Sequence, residues 1–490
     1  MAAVLCVAAI FCGYARGAEW SDSLRYRAEA GVTLTHGDHT PFWMVSDDYG
    51  FSSLRPNNGW VRGGVFHDLD HDRRFSWGAG VDLGVGFNFQ QAFIPQQVYG
   101  EVKYRCLYAM LGQKEMGSEF IHSDLSSGGL TNSRNSRPIP QLRVGILDYA
   151  DFWGCKGWFA VKGYIAYGMF TDNGWIKKWT ASDSPYTLNT LYCTRAIYFR
   201  GGDARRFPLV GELGLKMDSQ FGGDTYSAVD KEGLRSVRHN PKNFKAWVKG
   251  LIPMGGDSST LAGEQTNVQG NFLGNWAFAL GWHDPQGWSV RAYYEHFFED
   301  HSMMFFDYPW KDGLWGVEAK LPKNPVVSEA LFEFMYMKDQ AGPVYYDHTD
   351  KIPYQVSGRD GYYQNYVYQC WQNYGRTIGN PFILSPLYNK NHRLDIYDSR
   401  VVAWNLGLKG APTKQVDWRL NISMLSSWGT YSNPLPRVEH AYSGLAQVNW
   451  HPERLKGWEG SLRLAADRGL LCGHNYSIGI SISKTGFFGW

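Results

Sequence analysis

The chain has 490 residues and a formal net charge of +2, and only 19% of its residues are charged. This balance lacks the clustered basic surface that binding to nucleic acid requires. The sequence contains 16% aromatic residues and 56 glycines, and no linker rich in proline or serine divides it. This composition predicts a single all-β domain.

Residues 1–18 are predicted to form a secretory signal peptide, and residues 19–490 a single exported domain. An apolar run from Ala2 to Phe11 is followed by Gly17 and Ala18, small residues of the kind that a signal peptidase accepts. The usual basic residues before the apolar run are missing, so a buried N-terminal strand is the alternative interpretation. No later stretch has the roughly 18 apolar residues of a transmembrane helix.

The segment from Trp77 to Gln90 alternates strictly between two kinds of residue. Its odd positions are all apolar, whereas its even positions are all small or polar. This period of two predicts a strand with one apolar face and excludes a helix. The segment is long for a globular strand, which usually has about five or six residues. A membrane-spanning barrel needs such strands, with lipid on one side and a polar lumen on the other. One strand of a large soluble sandwich is the alternative.

About eighteen segments of this two-faced kind occur along the chain, an even number of the sort that single-chain barrels need. They lie near 24–34, 59–68, 77–90, 97–105, 106–115, 141–149, 157–170, 191–202, 207–220, 271–283, 288–300, 314–322, 328–339, 393–408, 416–430, 439–451, 457–468 and 474–490. Short connections alternate with mostly long ones, which places the long loops at one end of a meander. A sandwich with Greek-key crossings would not alternate so regularly.

These patterns predict an antiparallel transmembrane β-barrel of about 18 strands. We expect it in the outer membrane, with long extracellular loops, short periplasmic turns and both termini in the periplasm. The last segment carries its apolar parity on to Trp490, where the chain stops. An aromatic residue in that position resembles the signal that the outer-membrane insertion machinery reads.

No pattern indicates catalysis or a cofactor. The chain has no nucleophile elbow, phosphate-binding loop or zinc-binding histidine pair. The five cysteines after the signal are scattered and odd in number, which predicts neither a disulfide framework nor a metal site. Glu295 and His296 are neighbours, but a strand points them to opposite faces, so they are not expected to share a metal. We therefore expect a protein that is not an enzyme and binds no metal.

Candidate glycan-binding residues begin with Arg291, Glu295 and Glu299, which share the face predicted to line the lumen. Arg291 and Glu295 are interpreted as a solvated ion pair or as contacts to an inward-folded loop. The turn after Glu299 is predicted to lie over the extracellular mouth. There Trp310 would stack on a sugar ring and Lys311 would pair with an acidic sugar. The alternative is that the turn around Trp310 only wedges the loop shut.

A second group of candidates lies in the tyrosine-rich loop from Ala341 to Gly379, where Tyr362, Tyr363 and Trp371 alternate with amide side chains. Flat aromatic faces pack well against sugar rings, and amides reach the hydroxyl groups. The alternative is that these aromatic residues pack the loop against itself and into the barrel mouth, because a loop this long must bury something to be ordered. The same two interpretations apply to Trp43, Trp175, Trp179 and Trp247.

The run from Ser289 to Tyr345 resembles the capsule-assembly Wzi family of outer-membrane proteins. So do four other segments: HGDHTPFWMVSDDYGFSSL, NSRPIPQLRVGI, LIPMGGDSSTLAGEQTNVQGNFLGNW and RLKGWEGSLRLAADRG. The resemblance implies an eighteen-stranded barrel that acts as a surface lectin for capsular polysaccharide. The better-known branch of this family carries a helical segment that blocks the periplasmic mouth. Here the first predicted strand begins near Leu24, directly after the predicted signal, which leaves no room for such a segment ahead of it.

Two functions from different classes remain open. The first is a lectin that binds capsular or extracellular polysaccharide and holds it at the cell surface; its other partners would be outer-membrane lipid, lipopolysaccharide and the insertion machinery. The alternative is an outer-membrane porin or carbohydrate diffusion channel, since eighteen strands can enclose a water-filled lumen. A glycan-modifying enzyme is disfavoured, because Glu295, Glu299 and Asp307 form no pair with the separation that glycoside hydrolysis needs. A lumen filled by loops would favour the lectin.

Overall fold

The structure is a computed structural model that describes residues 24–152, 154–155, 157–255, 268–299, 304, 311–340 and 361–488. Eighteen antiparallel strands form one closed sheet, in which the last strand pairs with the first. The predicted fold and strand number are confirmed. The predicted signal peptide, residues 1–18, and the closing Trp490 lie outside the described residues.

In chain order the barrel strands are β1 (Leu24–His36), β2 (Asn58–His67), β3 (Phe75–Phe87), β4 (Phe93–Tyr104), β5 (Leu107–Gln113), β6 (Gln141–Asp151), β7 (Phe159–Met169), β8 (Leu191–Gly201), β9 (Leu209–Phe221), β10 (Asn271–His283), β11 (Ser289–Glu299), β12 (Gly313–Lys320), β13 (Glu329–Met337), β14 (Val401–Thr413), β15 (Val416–Gly429), β16 (Pro434–Trp450), β17 (Trp458–Gly469) and β18 (Asn475–Phe487).

The alternation of each strand decides which side chains face outward. In β3, Val81, Leu83 and Val85 are exposed on the outer wall, whereas Asp82 and its even-numbered neighbours are buried on the lumen side. An outer wall of this kind is stable against lipid, because each exposed apolar side chain would cost free energy in water. No helix among the described residues is long and apolar enough to cross a membrane.

Aromatic residues border this apolar wall at both ends, as in membrane barrels. We call the end where β1 finishes the loop end and the opposite one the turn end. An outward row of rings runs from the middle of β10 and β11 to the loop ends of β12 to β14, with neighbouring centroids 4.5–6.3 Å apart: Phe278, Tyr294, Trp315, Phe334 and Trp404. Near the turn end the exposed rings include Phe75, Tyr104, Trp282, Trp288, Trp450 and Trp458.

The connections alternate as predicted. Those at the turn end are short, and most of those at the loop end are long, including 114–140, 222–270 and 338–400. Several predicted boundaries differ from the structure, among them the starts of β4 and β16, and the largest difference is at β14. The strand expected near 393–408 begins only at Val401, because Leu394 and Ile396 are buried in the lumen, 2% and 1% exposed, instead of pairing in the wall.

Three segments fold inward and fill the lumen; together we call them the plug. The first arm is residues 40–54 with helix α1 (Phe42–Val45), the second is residues 118–139, and the third is residues 361–399. The third arm contains two short hairpins, Gln364–Asn365 with Gln369–Cys370 and Gln372–Asn373 with Arg376–Thr377. Buried apolar residues of all three arms and of the wall form one cluster, so the hydrophobic core of the protein lies inside its barrel.

The remaining loop-end segments cover the plug or leave the barrel. Helix α2 (Asn173–Trp179) lies beside the third arm. A small sheet of Tyr186–Leu188, Asp224–Tyr226 and Val237–His239 stands at the same end. Helix α3 (Phe244–Leu251) packs against β8 and β9.

Candidate functional site: the plugged lumen and its loop-end surface

The second arm of the plug reaches almost to the turn end of the barrel. Arg291, near the start of β11, donates from Nη2 to the backbone oxygen of Phe120 at 3.0 Å. Lys409, near the turn end of β14, forms an ion pair with Asp124. These contacts lie at the opposite end of the strands from the loop that supplies the arm, so the plug occupies most of the height of the lumen.

Acidic residues on the inward segments pair with basic residues of the wall. Glu119 lies 2.9 Å from Arg143 and 3.0 Å from Lys216, and all three side chains are largely buried. Burial alone would raise the pKa of the Glu119 carboxyl, but the charges of Lys216 and Arg143 outweigh it and hold this pKa below its usual range. Further pairs join Asp47 to Arg419 and Asp48 to Arg463.

One carboxylate of the wall gathers several donors around the second arm. Glu333 accepts hydrogen bonds from the hydroxyls of Tyr293, Ser126 and Ser127, the backbone N–H of Ser127 and the amide of Asn405. The side chain is buried, so removing the carboxylate would take a shared acceptor from all of these donors; of them, the Asn405 amide also donates to the backbone oxygen of Leu125. Glu333 is therefore an anchor of the plug, and its strand pattern alone did not reveal this role.

The structure brings the predicted lumenal residues together, although not in the predicted pairing. Arg291 forms its ion pair with Glu212, 2.7 Å away, and not with Glu295. Glu295 accepts from the backbone N–H of Leu130 at 2.8 Å, and Glu299 accepts from that of Tyr363 at 2.6 Å. Of the two earlier interpretations, contacts to inward-folded loops are correct and a solvated pair is not, because the plug excludes water from these groups.

The three predicted aromatic binders of the third arm are fully buried. Tyr362 donates to Asp312 at 2.9 Å, Tyr363 to the backbone oxygen of Leu130, and the Trp371 indole to that of Thr131 at 2.9 Å. Their rings pack inside the plug and against Phe297. No ring face is open to a sugar in this arrangement, so the interpretation that these residues pack the loop into the mouth describes them better. Gly379 permits this packing, because a Cβ there would collide with the Tyr363 hydroxyl.

Most of the turn after Glu299 lies outside the described residues. Trp310 and Asp307 lie outside the described residues, and Lys311 is exposed. Met304 lies on the outer wall, where its backbone oxygen accepts from the indole of Trp276 at 2.7 Å. Met304 therefore lies outside the barrel, whereas Asp312 contacts Tyr362 of the third arm. That the turn carrying Trp310 lies over the mouth stays a prediction.

A partly exposed group of side chains at the loop end, which we call the ledge, joins α2 to the third arm. The Trp179 ring stacks on two neighbouring rings. Its centroid lies 4.2 Å from that of His392, with 10° between the ring planes, and 5.4 Å from that of Trp175, with 19° between the planes. Asn391 donates to the Tyr397 hydroxyl at 2.8 Å beside them, and α2 also carries the exposed Lys177 and Lys178. Trp179 was a candidate from the sequence, but no sequence signal pointed to His392, which lies 213 positions later.

No metal centre was predicted, and within the described ranges no group of three or more His, Cys, Asp or Glu side chains is placed to hold a metal ion. The five cysteines after residue 18 are free, so the prediction of no disulfide framework is confirmed for them. That the protein is not an enzyme stays a prediction.

A buried carboxyl makes the contact between α2 and the third arm sensitive to pH. Asp172 accepts from the Gln372 amide at 3.0 Å and from the backbone N–H of Tyr374 at 3.2 Å. Burial raises the pKa of Asp172 from 3.8 to about 6, against the smaller opposing effect of these donors and of Arg137. Between these two pH values the folded carboxyl keeps a proton that the unfolded one has lost. The stability of this contact should therefore fall as pH rises from 3.8 to about 6, and then stay level.

We expect Asp172→Asn to abolish this pH dependence, because the amide keeps a neutral acceptor for Tyr374. The measurement is hydrogen exchange of peptides covering 370–376 between pH 4 and 7, corrected for intrinsic rates. Asp183→Asn, an exposed aspartate of the same loop, is the control and should behave as wild type. A variant in which protection still falls over this range would contradict the assignment to Asp172. Asp312, whose pKa burial also raises to about 6, should still make protection around Tyr362 pH-dependent.

The closed sheet, its apolar outer wall and its two aromatic borders define a transmembrane β-barrel of the outer-membrane class, here with a plugged lumen. No family model and no curated protein matches the sequence. Among solved structures the chain is similar to Wzi, an outer-membrane protein involved in group 1 capsule assembly in Escherichia coli and a carbohydrate-binding β-barrel. The two share 13% identity over 95% of this chain and 84% of that one, with a TM-score of 0.55.

Two other similar structures are Acinetobacter baumannii OccAB2 and Pseudomonas aeruginosa OpdL. OccAB2 has a TM-score of 0.48 and 7% identity over 96% of this chain and 100% of that one. OpdL has a TM-score of 0.46 and 9% identity over 95% and 98%. At such identities the likeness to solved structures shows the fold, and the family of this chain belongs to the proposal that follows.

Proposed function

We propose that this protein is a lectin-like outer-membrane protein of the Wzi family that binds capsular or extracellular polysaccharide and holds it at the cell surface. The observation that carries the proposal is the plug. Its arms fill the lumen from the loop end almost to the turn end, and wall groups that would line a channel, among them Glu295, Glu299 and Glu333, are bonded to it. A plugged barrel leaves its loop-end surface as the place where a large soluble ligand can bind.

Two features support a polysaccharide as that ligand. The ledge presents stacked rings beside an amide and a hydroxyl, the combination that packs against sugar rings and reaches their hydroxyl groups. The exposed Lys177, Lys178 and Lys311 favour an acidic sugar, and such exposed charge contacts weaken as salt rises. The solved barrel with a TM-score of 0.55 is itself described as carbohydrate-binding, which agrees with the proposal.

The proposal predicts that the protein carries no open-channel current in a planar bilayer. It also predicts that the protein binds acidic polysaccharide isolated from the cells that express it. Deleting the protein should release polysaccharide into the medium without stopping its synthesis. Replacing Trp179 and His392 together by Ala should weaken binding at least tenfold, and replacing Trp310 and Lys311 together by Ala should also reduce it. Trp450→Ala, which removes an exposed ring at the turn end, is the matched control and should bind as wild type.

The outcomes separate the two candidate functions. A steady open-channel current from the wild-type protein would contradict the proposal and favour a porin or carbohydrate diffusion channel. Unchanged cell-bound polysaccharide after deletion would also contradict it. Correct assembly of each variant is checked by heat-modifiable gel mobility. Normal binding by an assembled ledge variant would move the site to another part of the loop-end surface.

A further inference from the structure

Helix α3 lies on the outside of the barrel, against the wall that faces lipid. Tyr167 and Ser219 point outward, because they share the parity of the exposed Ile165 and Leu213. Both hold the helix: Tyr167 donates to the backbone oxygen of Trp247 at 2.9 Å, and Ser219 to that of Gly250 at 2.7 Å. The Trp247 ring also packs on the ring of Tyr167 at 4.9 Å.

The helix covers an outward-facing arginine of the wall, which would otherwise be exposed to lipid. Arg195 has the outward parity of Ile197, yet it is only 7% exposed. Its guanidinium lies over the ring of Phe272 at 4.7 Å and donates to the oxygen of Gly250 at 3.3 Å, at the carboxyl end of α3. A charged side chain facing the hydrocarbon is costly, and helix-end carbonyls carry the partial negative charge that satisfies it. The position of α3 on the wall is thus part of the fold.

The other face of the helix is apolar and uncovered by the described residues. Phe244, Val248 and Ile252 follow one another at a spacing of four and are 84%, 36% and 52% exposed. The helix that carries this stripe packs against outward-facing side chains of β7, β8 and β9. Lys242 and Lys245 are exposed at the start of the helix. A short helix with an apolar stripe and flanking lysines is typical of segments that lie in the surface of a membrane.

The level of the helix agrees with that arrangement. Ser219 and Arg195, which contact the helix, lie close to the loop ends of their strands. These ends are Phe221 in β9 and Leu191 in β8. Phe272, whose ring lies under the Arg195 guanidinium and which pairs with Ser219, also lies at the loop end of its strand. The end of the wall strands is where the hydrocarbon of a bilayer meets the lipid head groups. The phosphates of anionic head groups can pair with lysines at that level.

We propose that α3 is a membrane-interface element that inserts Phe244, Val248 and Ile252 among the acyl chains of the leaflet at the loop end, with Lys242 at the phosphate groups of anionic lipids. This role is separate from polysaccharide binding at the ledge. The lipid leaflet is favoured over a second copy of the chain as the occupant, because the helix lies on the lipid-facing side of the barrel and Lys242 and Lys245 lie beside its apolar stripe.

The test uses the full chain carrying Cys106→Ser and one new cysteine labelled with an environment-sensitive fluorophore. Phe244→Cys reports on the stripe, Val81→Cys on the mid-wall as positive control, and Lys231→Cys on an exposed loop turn as negative control. The proteins are inserted into phosphatidylcholine vesicles whose acyl chains carry bromine. We expect quenching at position 244 to approach that at position 81 and to exceed that at position 231 several-fold. Quenching at position 244 no stronger than at position 231 would overturn the proposal.

A second arm tests the head group and the competing occupant. Replacing part of the phosphatidylcholine by phosphatidylglycerol should increase quenching at position 244, and Lys242→Glu should cancel that increase, whereas Lys231→Glu should not. An increase that survives Lys242→Glu would overturn the head-group assignment. Efficient cross-linking of unlabelled Phe244→Cys copies by a bifunctional thiol reagent, with little quenching of the labelled protein by lipid, would assign the stripe to a second copy and overturn the lipid proposal. Heat-modifiable mobility shows that each variant is assembled.

Discussion

Replacing residues 118–137 by a short glycine–serine linker is expected to turn this barrel into an ion-conducting channel. The second arm spans most of the lumen, and its Leu130 and Thr131 oxygens also hold Tyr363 and Trp371 of the third arm. Removing it takes away both its own volume and the anchors of its neighbour. A barrel of eighteen strands then encloses a lumen wide enough for water. The wall should tolerate the change, because Gly112 and Gln141 are paired neighbours that a short linker can join.

The measurement is planar-bilayer current. Wild type should stay at baseline, whereas the variant should give steady steps. The matched control replaces residues 230–234, an exposed loop turn, with the same linker, and should remain silent. Silence of a correctly assembled variant would contradict the prediction and would mean that the first and third arms close the lumen without the second. This experiment tests the plug itself and does not depend on which ligand the protein binds.

The second large effect is expected from Glu333→Ala. The substitution leaves the hydroxyls of Tyr293, Ser126 and Ser127 and the amide of Asn405 without their common acceptor. Each buried donor left unpaired costs about 1–3 kcal/mol, so local stability of the second arm should fall by about 3 kcal/mol or more. Such a loss corresponds to roughly a hundredfold faster hydrogen exchange where exchange follows local opening.

Hydrogen exchange of peptides covering 122–131 is the measurement for this variant. Glu318→Ala is the matched control, because Glu318 is a buried lumen-wall carboxylate on the neighbouring strand that pairs with Lys320. Glu333→Gln keeps the shape and one acceptor oxygen and should lie between the two. Equal exchange of the second arm in the Glu333→Ala and Glu318→Ala proteins would show that Glu333 does not anchor the plug.

The strands of the barrel wall, and the faces of those strands, could be predicted from the local alternation of apolar and polar residues. Alternation in β3 correctly separated Val81, Leu83 and Val85 from Asp82, and the same rule correctly put Glu295 and His296 on opposite faces. The reason is physical: the side chains of an extended strand point to alternate sides whatever the rest of the chain does. A sheet of such strands exposes unpaired backbone groups at its two edges, and closing the sheet into a barrel removes both edges. Strand number and the faces of the strands therefore followed from residues a few positions apart.

The plug depended on contacts that no local pattern contains. Leu394 and Ile396 alternate like a wall strand, yet they are buried in the hydrophobic cluster that the arms form with the wall. Tyr362 and Trp371 have the composition of a sugar-binding loop, but their partners Asp312 and Thr131 lie 50 and 240 positions away and bury them. Likewise, α3 lies on the outer wall, where Tyr167, Arg195 and Ser219 of three strands donate to its backbone oxygens. Whether a loop enters the lumen, covers the mouth or lies on the wall depends on the groups that closure of the barrel brings near it. Only the folded chain brings these groups together.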